Sequence, residues 1–194
     1  MVATIQNNVD AIREVEGVPH INHPNFEWAF GAETLAQVEN DRLLEIYNGH
    51  PRVHNQGKGG VPSLEEIWDV LLTGGKRIYG IAADLANPGR AWISARARSL
   101  DAAEIMRQLE AGQFYASTGV NLADVVAENG RLEIRIAPHQ NFRYTTTFIG
   151  SGGRVLAVPQ DNPAVYTLQG RESYVRARVS DSRGAVAWVH SRCS

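Results

Sequence analysis

The segment of residues 17–26, with the sequence GVPHINHPNF, constrains the fold more than any other part of the chain. Its apolar and β-branched residues are followed by His23-Pro24-Asn25, and the residue before a proline is disfavoured in the helical region of the backbone. This pattern predicts a buried strand that runs into a loop. His23 is therefore expected at the carboxyl end of a strand, where α/β sheets and barrels collect the side chains that bind ligands.

Two further apolar segments end in the same way. Residues 43–47 are followed by a turn that contains Asn48 and His50, and residues 78–83 are followed by Asp84. Like the first segment, both are predicted to be buried strands. Three successive strands therefore end in side chains that can bind a metal or form hydrogen bonds.

Helical patterns separate these strands, so the chain alternates strands and helices up to about residue 119. One helix is predicted to begin with a capping box, in which the side chains of Ser63 and Glu66 bond to backbone N–H groups. It follows a loop rich in Gly, His and Asn, residues 51–60, which contains His54 and could fold over the strand ends. The alternation predicts an α/β arrangement for residues 1–119.

The pattern changes at about residue 120. Apolar and polar residues then alternate with a period of two, as in residues 132–136, 174–179 and 185–189, and turn signals separate the segments. Helical periodicity is absent from this part of the sequence. Residues 120–194 are therefore predicted to form a small antiparallel β-sandwich-like module, separate from the first part.

The composition argues against several classes of function. The 19 basic and 21 acidic side chains give a net charge of -2, so no overall field attracts nucleic acid or an anionic membrane. No apolar run approaches the ~20 residues that cross a bilayer, and the first residues do not resemble a signal peptide, so we expect a cytoplasmic location. The single cysteine, Cys193, excludes an internal disulfide and a cysteine-based zinc knuckle. Any metal would have to be bound by His, Asp or Glu.

Five ordered motifs resemble the C-terminal half of PHP-domain proteins, the polymerase and histidinol phosphatase superfamily. They are VPHINHPN at residues 18–25, LEIYNG at 44–49, YGIAAD at 79–84, PGRAW at 88–92 and GQFYASTG at 112–119. The β-rich residues 120–194 are similar to the extension that follows this domain in many bacterial members. The resemblance therefore spans nearly the whole chain.

The resemblance implies a distorted βα barrel with divalent metals at the strand ends, where they promote the attack of water on a phosphoester. By position in the motifs, His23 and Asp84 match metal ligands of the family. Imidazole and carboxylate suit Zn, Mn or Fe, and paired metals stabilise both the attacking and the leaving oxygens. The expected fold is thus α/β, a partial PHP-like barrel over residues 1–119, and the expected substrate is a small phosphorylated molecule.

The chain departs from the family at the metal site. Family members begin with a strand that carries His-x-His and a nearby acidic residue, and no such motif precedes Thr4. Asp84-Leu85-Ala86-Asn87 stands where the family usually has Asp-Asp-Ala-His, so the late histidine is missing. The chain is therefore expected to be a fragment or degenerate relative, or to receive the missing ligands from a partner. An incomplete barrel exposes strand edges and apolar faces, which predicts a homo-oligomer or a partner chain.

The histidines and Asp84 each have two interpretations. His23 is a ligand or stabilises its turn, and Asp84 is a ligand or the cap of a turn. His20 is a candidate for an additional part of the site, but it is more typical of a packed, hydrogen-bonded core residue. His50 and His54 are solvent-exposed loop residues, or they build a His-rich site together with His23.

Further candidates come from the strands and turns. Glu45 holds the second ring nitrogen of a histidine or pairs with an arginine, and Asn48 belongs to the same candidate site. Arg90 binds a substrate phosphate through its fork of donors or forms a salt bridge at a turn. Arg176 and Arg178 are expected on the solvated face of a strand.

Two functions of different classes fit these observations. The first is a PHP-like, metal-dependent phosphoesterase relative, a hydrolase with an incomplete metal site. The second is a catalytically inactive binding or assembly module that keeps the same scaffold. The number of metal ligands that the fold brings together distinguishes the two.

Overall fold

The computed structural model describes residues 1–84 and 88–190, so Cys193 and the departure from the family motif at residues 85–87 lie outside it. Within the described residues the helices are α1 (Val2–Glu14), α2 (Ala32–Leu35), α3 (Leu64–Thr73) and α4 (Ala102–Glu110), and none is long and apolar enough to cross a membrane. The strands are β1 (His20–Ile21), β2 (Leu43–Asn48), β3 (Tyr79–Ala83), β4 (Trp92–Ala95), β5 (Phe114–Ser117), β6 (Leu122–Glu128), β7 (Arg131–Ile136), β8 (Tyr144–Gly150), β9 (Arg154–Ala157), β10 (Ala164–Thr167), β11 (Arg176–Asp181) and β12 (Val186–His190).

These strands form three sheets, and the predicted partial βα barrel is wrong. One sheet is parallel, in the order β1-β2-β3, and two are antiparallel, in the orders β10-β7-β6 and β4-β5-β12-β11-β8-β9. Strands make up 34% and helices 21% of the structure, and no sheet among the described residues closes into a barrel.

The parallel repeat stops after β3. β4 and β5 pair with each other in the antiparallel sense, and β5 then pairs with β12 instead of a parallel neighbour. β4 is only partly buried along its length. The strands of a parallel barrel are covered on both faces, so β4 lacks the environment that such a barrel provides.

Helix α3 packs against β2 of the parallel sheet. Ser63 Oγ accepts a hydrogen bond from the backbone N–H of Glu66 at 3.2 Å, and the backbone N–H of Ser63 donates to Glu66 Oε2 at 2.7 Å. These two bonds confirm the predicted capping box. Trp68, fully buried, donates from Nε1 to the carbonyl oxygen of Ile78 at 3.0 Å and so holds the helix against the start of β3.

The six-stranded sheet contains strands from both sides of residue 120. Ala116 of β5 lies opposite Trp188 of β12, and Ser117 lies opposite Ala187. Trp188 packs in the same hydrophobic core as β1, β2 and α3, while Ala187 belongs to the core that the later antiparallel strands enclose. The division into residues 1–119 and 120–194 stays a prediction, and the two ranges share one sheet.

A buried ion pair connects α3 to β11. Nε and Nη2 of Arg176 donate to the two carboxylate oxygens of Asp69 at 2.7 and 2.8 Å, and the Arg176 side chain is only 3% exposed. The hydroxyl of Tyr174 donates to Asp69 Oδ1 at 2.7 Å, and burial together with this carboxylate raises the pKa of Tyr174 to about 12. Arg178 pairs with Glu65 of the same helix at 3.3 Å. The predicted solvated face is therefore wrong for Arg176, because α3 covers it.

Candidate functional site

The carboxyl ends of β1, β2 and β3 lie at one edge of the parallel sheet, as strands of the same direction require. Asn48 at the end of β2 lies opposite Ala83 at the end of β3, and the backbone N–H of Gly49 donates to the Ala83 carbonyl at 2.8 Å. His23 follows β1 and Asp84 follows β3 directly. The structure therefore places His23, Asn48 and Asp84 at the ends of three neighbouring strands.

Glu45 is a buried carboxylate beneath this edge, only 2% exposed. Its Oε2 accepts a hydrogen bond from the backbone N–H of His23 at 2.7 Å, and its Oε1 accepts from the Asn48 side-chain amide at 2.9 Å. Glu45 therefore bonds to the backbone of His23, and not to the imidazole ring as the sequence suggested. Salt bridges to Glu45 are absent from the part of the chain that the structure describes, so the alternative of an arginine pair is also not realised.

Asn48 organises the loop that follows β2. Its side-chain oxygen accepts from the backbone N–H of His50 at 2.8 Å. Asn55, which sequence reasoning missed, closes the loop with two bonds: its Oδ1 accepts from the Asn48 N–H at 2.9 Å and its Nδ2 donates to the Asn48 carbonyl at 2.8 Å. The only sequence signal for Asn55 is its position in the Gly- and Asn-rich loop.

His23 and His50 both lie against Phe26. The ring centroid of Phe26 is 5.3 Å from that of His23 and 6.2 Å from that of His50. Nδ1 of His50 accepts a hydrogen bond from the backbone N–H of Arg52 at 3.2 Å, so this nitrogen already has a partner. The structure thus brings two of the predicted histidines to one aromatic ring, which the sequence did not indicate.

His54 belongs to a second contact between the same two loops. Its ring stacks on Trp28, with centroids 4.3 Å apart and planes 5° from parallel. Asn25 is 1% exposed, and its side-chain amide donates to the carbonyl oxygens of His54 at 3.0 Å and Pro62 at 2.8 Å. Trp28 has a φ of 55°, which is rare for a residue with a bulky side chain. Neither Asn25 nor Trp28 was among the predicted site residues.

Asp84 caps the turn that carries Arg90. Its Oδ2 accepts from the backbone N–H groups of Arg90 at 2.7 Å and Ala91 at 3.3 Å. Arg90 in turn donates from Nη1 to the carbonyl of Gly49 at 3.2 Å. A Cβ at Gly49 would lie 3.1 Å from the Asp84 Cβ and 3.0 Å from the Arg90 Cβ, so a side chain here would require these neighbours to move by a few tenths of an ångström.

Two candidates differ from their expected environments. Arg90 is exposed and forms no salt bridge with any described residue, so the turn salt bridge considered for it is not present. His20 is exposed on β1, and its interpretation as a packed core residue is wrong. The side chain of His20 is therefore on the solvent side of β1, whereas Ile21 packs in the core.

The described residues do not by themselves complete a metal site. Within residues 1–84 and 88–190, no group of three or more His, Cys, Asp or Glu side chains is arranged to hold a metal ion. Both oxygens of Glu45 and one oxygen of Asp84 already accept hydrogen bonds from neighbouring N–H groups. No protein-family model, curated protein or solved structure matches this chain.

Proposed function

We propose that this chain is a relative of the PHP metal-dependent phosphoesterases with an incomplete metal site, in which His23 and Asp84 are ligands. The observation that carries the proposal is that three parallel strands end at one edge with His23, Asn48 and Asp84. Arg90 lies in the turn that follows Asp84, and its backbone N–H donates to the Asp84 carboxylate. The proposal includes a small phosphorylated substrate and the cytoplasmic location expected from the sequence.

The side chains present fit a phosphate-directed role. Arg90 has a fork of donors that suits two oxygens of one phosphate, and its backbone is held in place by Asp84. Glu45 fixes the backbone of His23 at the point where the chain leaves β1. A bound Zn, Mn or Fe would supply polarisation of the phosphoryl oxygen. Further donors for such a metal would come from a second copy of the chain or from another partner.

A catalytically inactive binding or assembly module is the second candidate. The specific observation in its favour is that Glu45, Asn48 and Asp84 already bond to loop backbone. These bonds hold the loops in a fixed shape without a metal, as a recognition surface requires. In this function the strand-end loops contact a partner instead of performing chemistry.

Metal content distinguishes the two candidates. The wild-type protein and the variants His23→Ala and His20→Ala are loaded with Mn and Zn, dialysed and measured by elemental analysis. The phosphoesterase proposal predicts stoichiometric metal in the wild type and in His20→Ala, whose histidine is exposed on β1, and loss of metal in His23→Ala. Hydrolysis of p-nitrophenyl phosphate should follow the metal content. Absence of retained metal from all three proteins would contradict the proposal and favour the binding module.

A further inference from the structure

A cleft lies between the end of the parallel sheet and the later antiparallel strands. Its volume is about 670 Å³, within the range of about 300–1,000 Å³ that is typical of small-molecule sites. Its lining includes Tyr47, Arg90 and Trp92 from the first part of the chain, and Asn121, His139 and Arg183 from the part after residue 120. We call it the Arg90 cleft.

Arg90 is the cation of this cleft that is available to an anion. It is exposed, and its guanidinium makes one hydrogen bond, to the carbonyl of Gly49, with no salt bridge to any residue that the structure describes. Arg183 differs, because its Nη2 lies 2.7 Å from Asp181 Oδ2 and its guanidinium lies 4.0 Å above the ring of Phe142. The carboxylate neutralises Arg183, so the positive charge of the cleft is concentrated at Arg90.

The part of the chain after residue 120 contributes hydrogen-bonding side chains to the cleft, His139 and Asn121. The backbone N–H of His139 donates to the hydroxyl of Tyr144 at 3.1 Å, which fixes the position of His139 at the rim. Its ring lies 5.7 Å from that of Phe142. Asn121 is exposed beside it. The described residues that line the cleft include no Asp or Glu, and the nearby Asp84 carboxylate bonds to the backbone N–H of Arg90.

Two aromatic side chains form the apolar part of the cleft. Trp92 on β4 and Tyr47 on β2 are both partly exposed, and Tyr47 is held from behind by Trp188, with ring centroids 5.7 Å apart. Both line the cleft together with Arg90. Flat side chains of this kind bind a planar ring through stacking and burial of apolar area.

We propose that the Arg90 cleft binds a phosphate monoester of a ring compound, with the phosphate on Arg90 and the ring on Trp92 and Tyr47. The choice of phosphate as the anion rests on the proposed function. The ring subsite rests on the cleft alone. Loops that flank the antiparallel strands after residue 120 thereby contribute to the substrate site.

The test is calorimetric titration in the presence of EDTA, so that binding is measured without metal or hydrolysis. Phenyl phosphate, inorganic phosphate and phenol are compared as ligands. Phenyl phosphate is expected to bind about tenfold more tightly than either fragment, because it uses both subsites. His23→Ala is expected to bind like the wild type, so loss of the metal site and loss of the cleft are separate results.

Two variants assign the subsites. Arg90→Ala is expected to weaken phenyl phosphate and inorganic phosphate about tenfold, since hydrogen bonds to charged groups contribute on that scale. Trp92→Leu is expected to weaken phenyl phosphate alone. Arg154→Ala, an exposed arginine on β9 outside the cleft, is the control. The proposal would be overturned if Arg90→Ala and Arg154→Ala bound phenyl phosphate equally well. It would also be overturned if the wild type bound phenyl phosphate no more tightly than inorganic phosphate. Neither result depends on whether Trp92→Leu folds.

Discussion

Glu45 is a carboxylate buried in a sheet, and it is satisfied by neutral donors. A buried charged group is tolerated when hydrogen bonds replace the water that it loses. Glu45 meets this condition with the backbone N–H of His23 and the side-chain amide of Asn48. One side chain thus connects the loop after β1 to the end of β2, and the position of His23 depends on it.

The first prediction concerns the removal of this carboxylate. Glu45→Ala should lower the free energy of unfolding by ~2 kcal/mol, because it leaves the buried donors of His23 and Asn48 without partners. Glu45→Gln keeps one acceptor oxygen and should lose less. Glu39→Ala, at an exposed position, is the matched control. Urea unfolding measures all three, and a Glu45→Ala protein as stable as Glu39→Ala would refute this role.

The sequence predicted the strand-end residues because they follow directly from local patterns. A proline after His23 and a glycine after Asn48 mark where strands stop, and neighbouring parallel strands then bring those ends together. Asn25 could not be recognised in this way. Its partners are the carbonyl groups of His54 and Pro62, far along the chain, and only the folded loops bring them within reach.

The pair formed by Asp69 and Arg176 fixes helix α3 to strand β11. Removal of Arg176 leaves Asp69 as a buried charge without its ion-pair partner, which is strongly destabilising. Arg178 lies two residues along the same strand, with a 36% exposed side chain that pairs with Glu65. Ion pairs that solvent reaches, as it does here, contribute little to stability.

The second prediction compares the two arginines. Arg176→Ala should lower the free energy of unfolding by about 3–5 kcal/mol, whereas Arg178→Ala should lower it by less than about 1 kcal/mol. Chemical denaturation followed by circular dichroism gives both values under the same conditions. Similar values for the two variants would show that the buried pair does not hold the helix to the strand.

The sequence predicted which side chains share a face of a strand or helix, but not which other element packs against that face. The period of two in β11 correctly put Arg176 and Arg178 on one face of a strand. The sequence could not show that α3, over a hundred residues earlier, packs against that face. The capping box at Ser63 was predictable for the opposite reason, since all of its atoms lie within four consecutive residues.

At the scale of the whole molecule, the pairing of β5 with β12 decides the architecture. The sequence suggested that β4 and β5 would continue the parallel repeat. Instead β5 lies between β4 and β12 in the antiparallel sheet. This pairing joins distant parts of the chain, and no local pattern specifies which strand a given strand will choose.

The third prediction follows from this shared sheet. A protein limited to residues 1–119 should not fold cooperatively, because β5 loses its partner β12 and the core loses Trp188, which is 3% exposed in the full chain. Circular dichroism and thermal unfolding of this fragment, beside the full chain, provide the measurement. A cooperative transition in the fragment would show that residue 119 ends an independently folding domain.

The pairing of β5 with β12 also determines when, during synthesis of the chain, the six-stranded sheet can form. β12 is synthesised after the other strands described here, so β5 leaves the ribosome long before its partner exists. Until then β4 and β5 present an unpaired edge, and unpaired edges promote association with other chains. Folding that waits for distant pairings is slow compared with helix formation. The nascent chain is therefore expected to be prone to association with other chains until β12 closes the centre of the sheet.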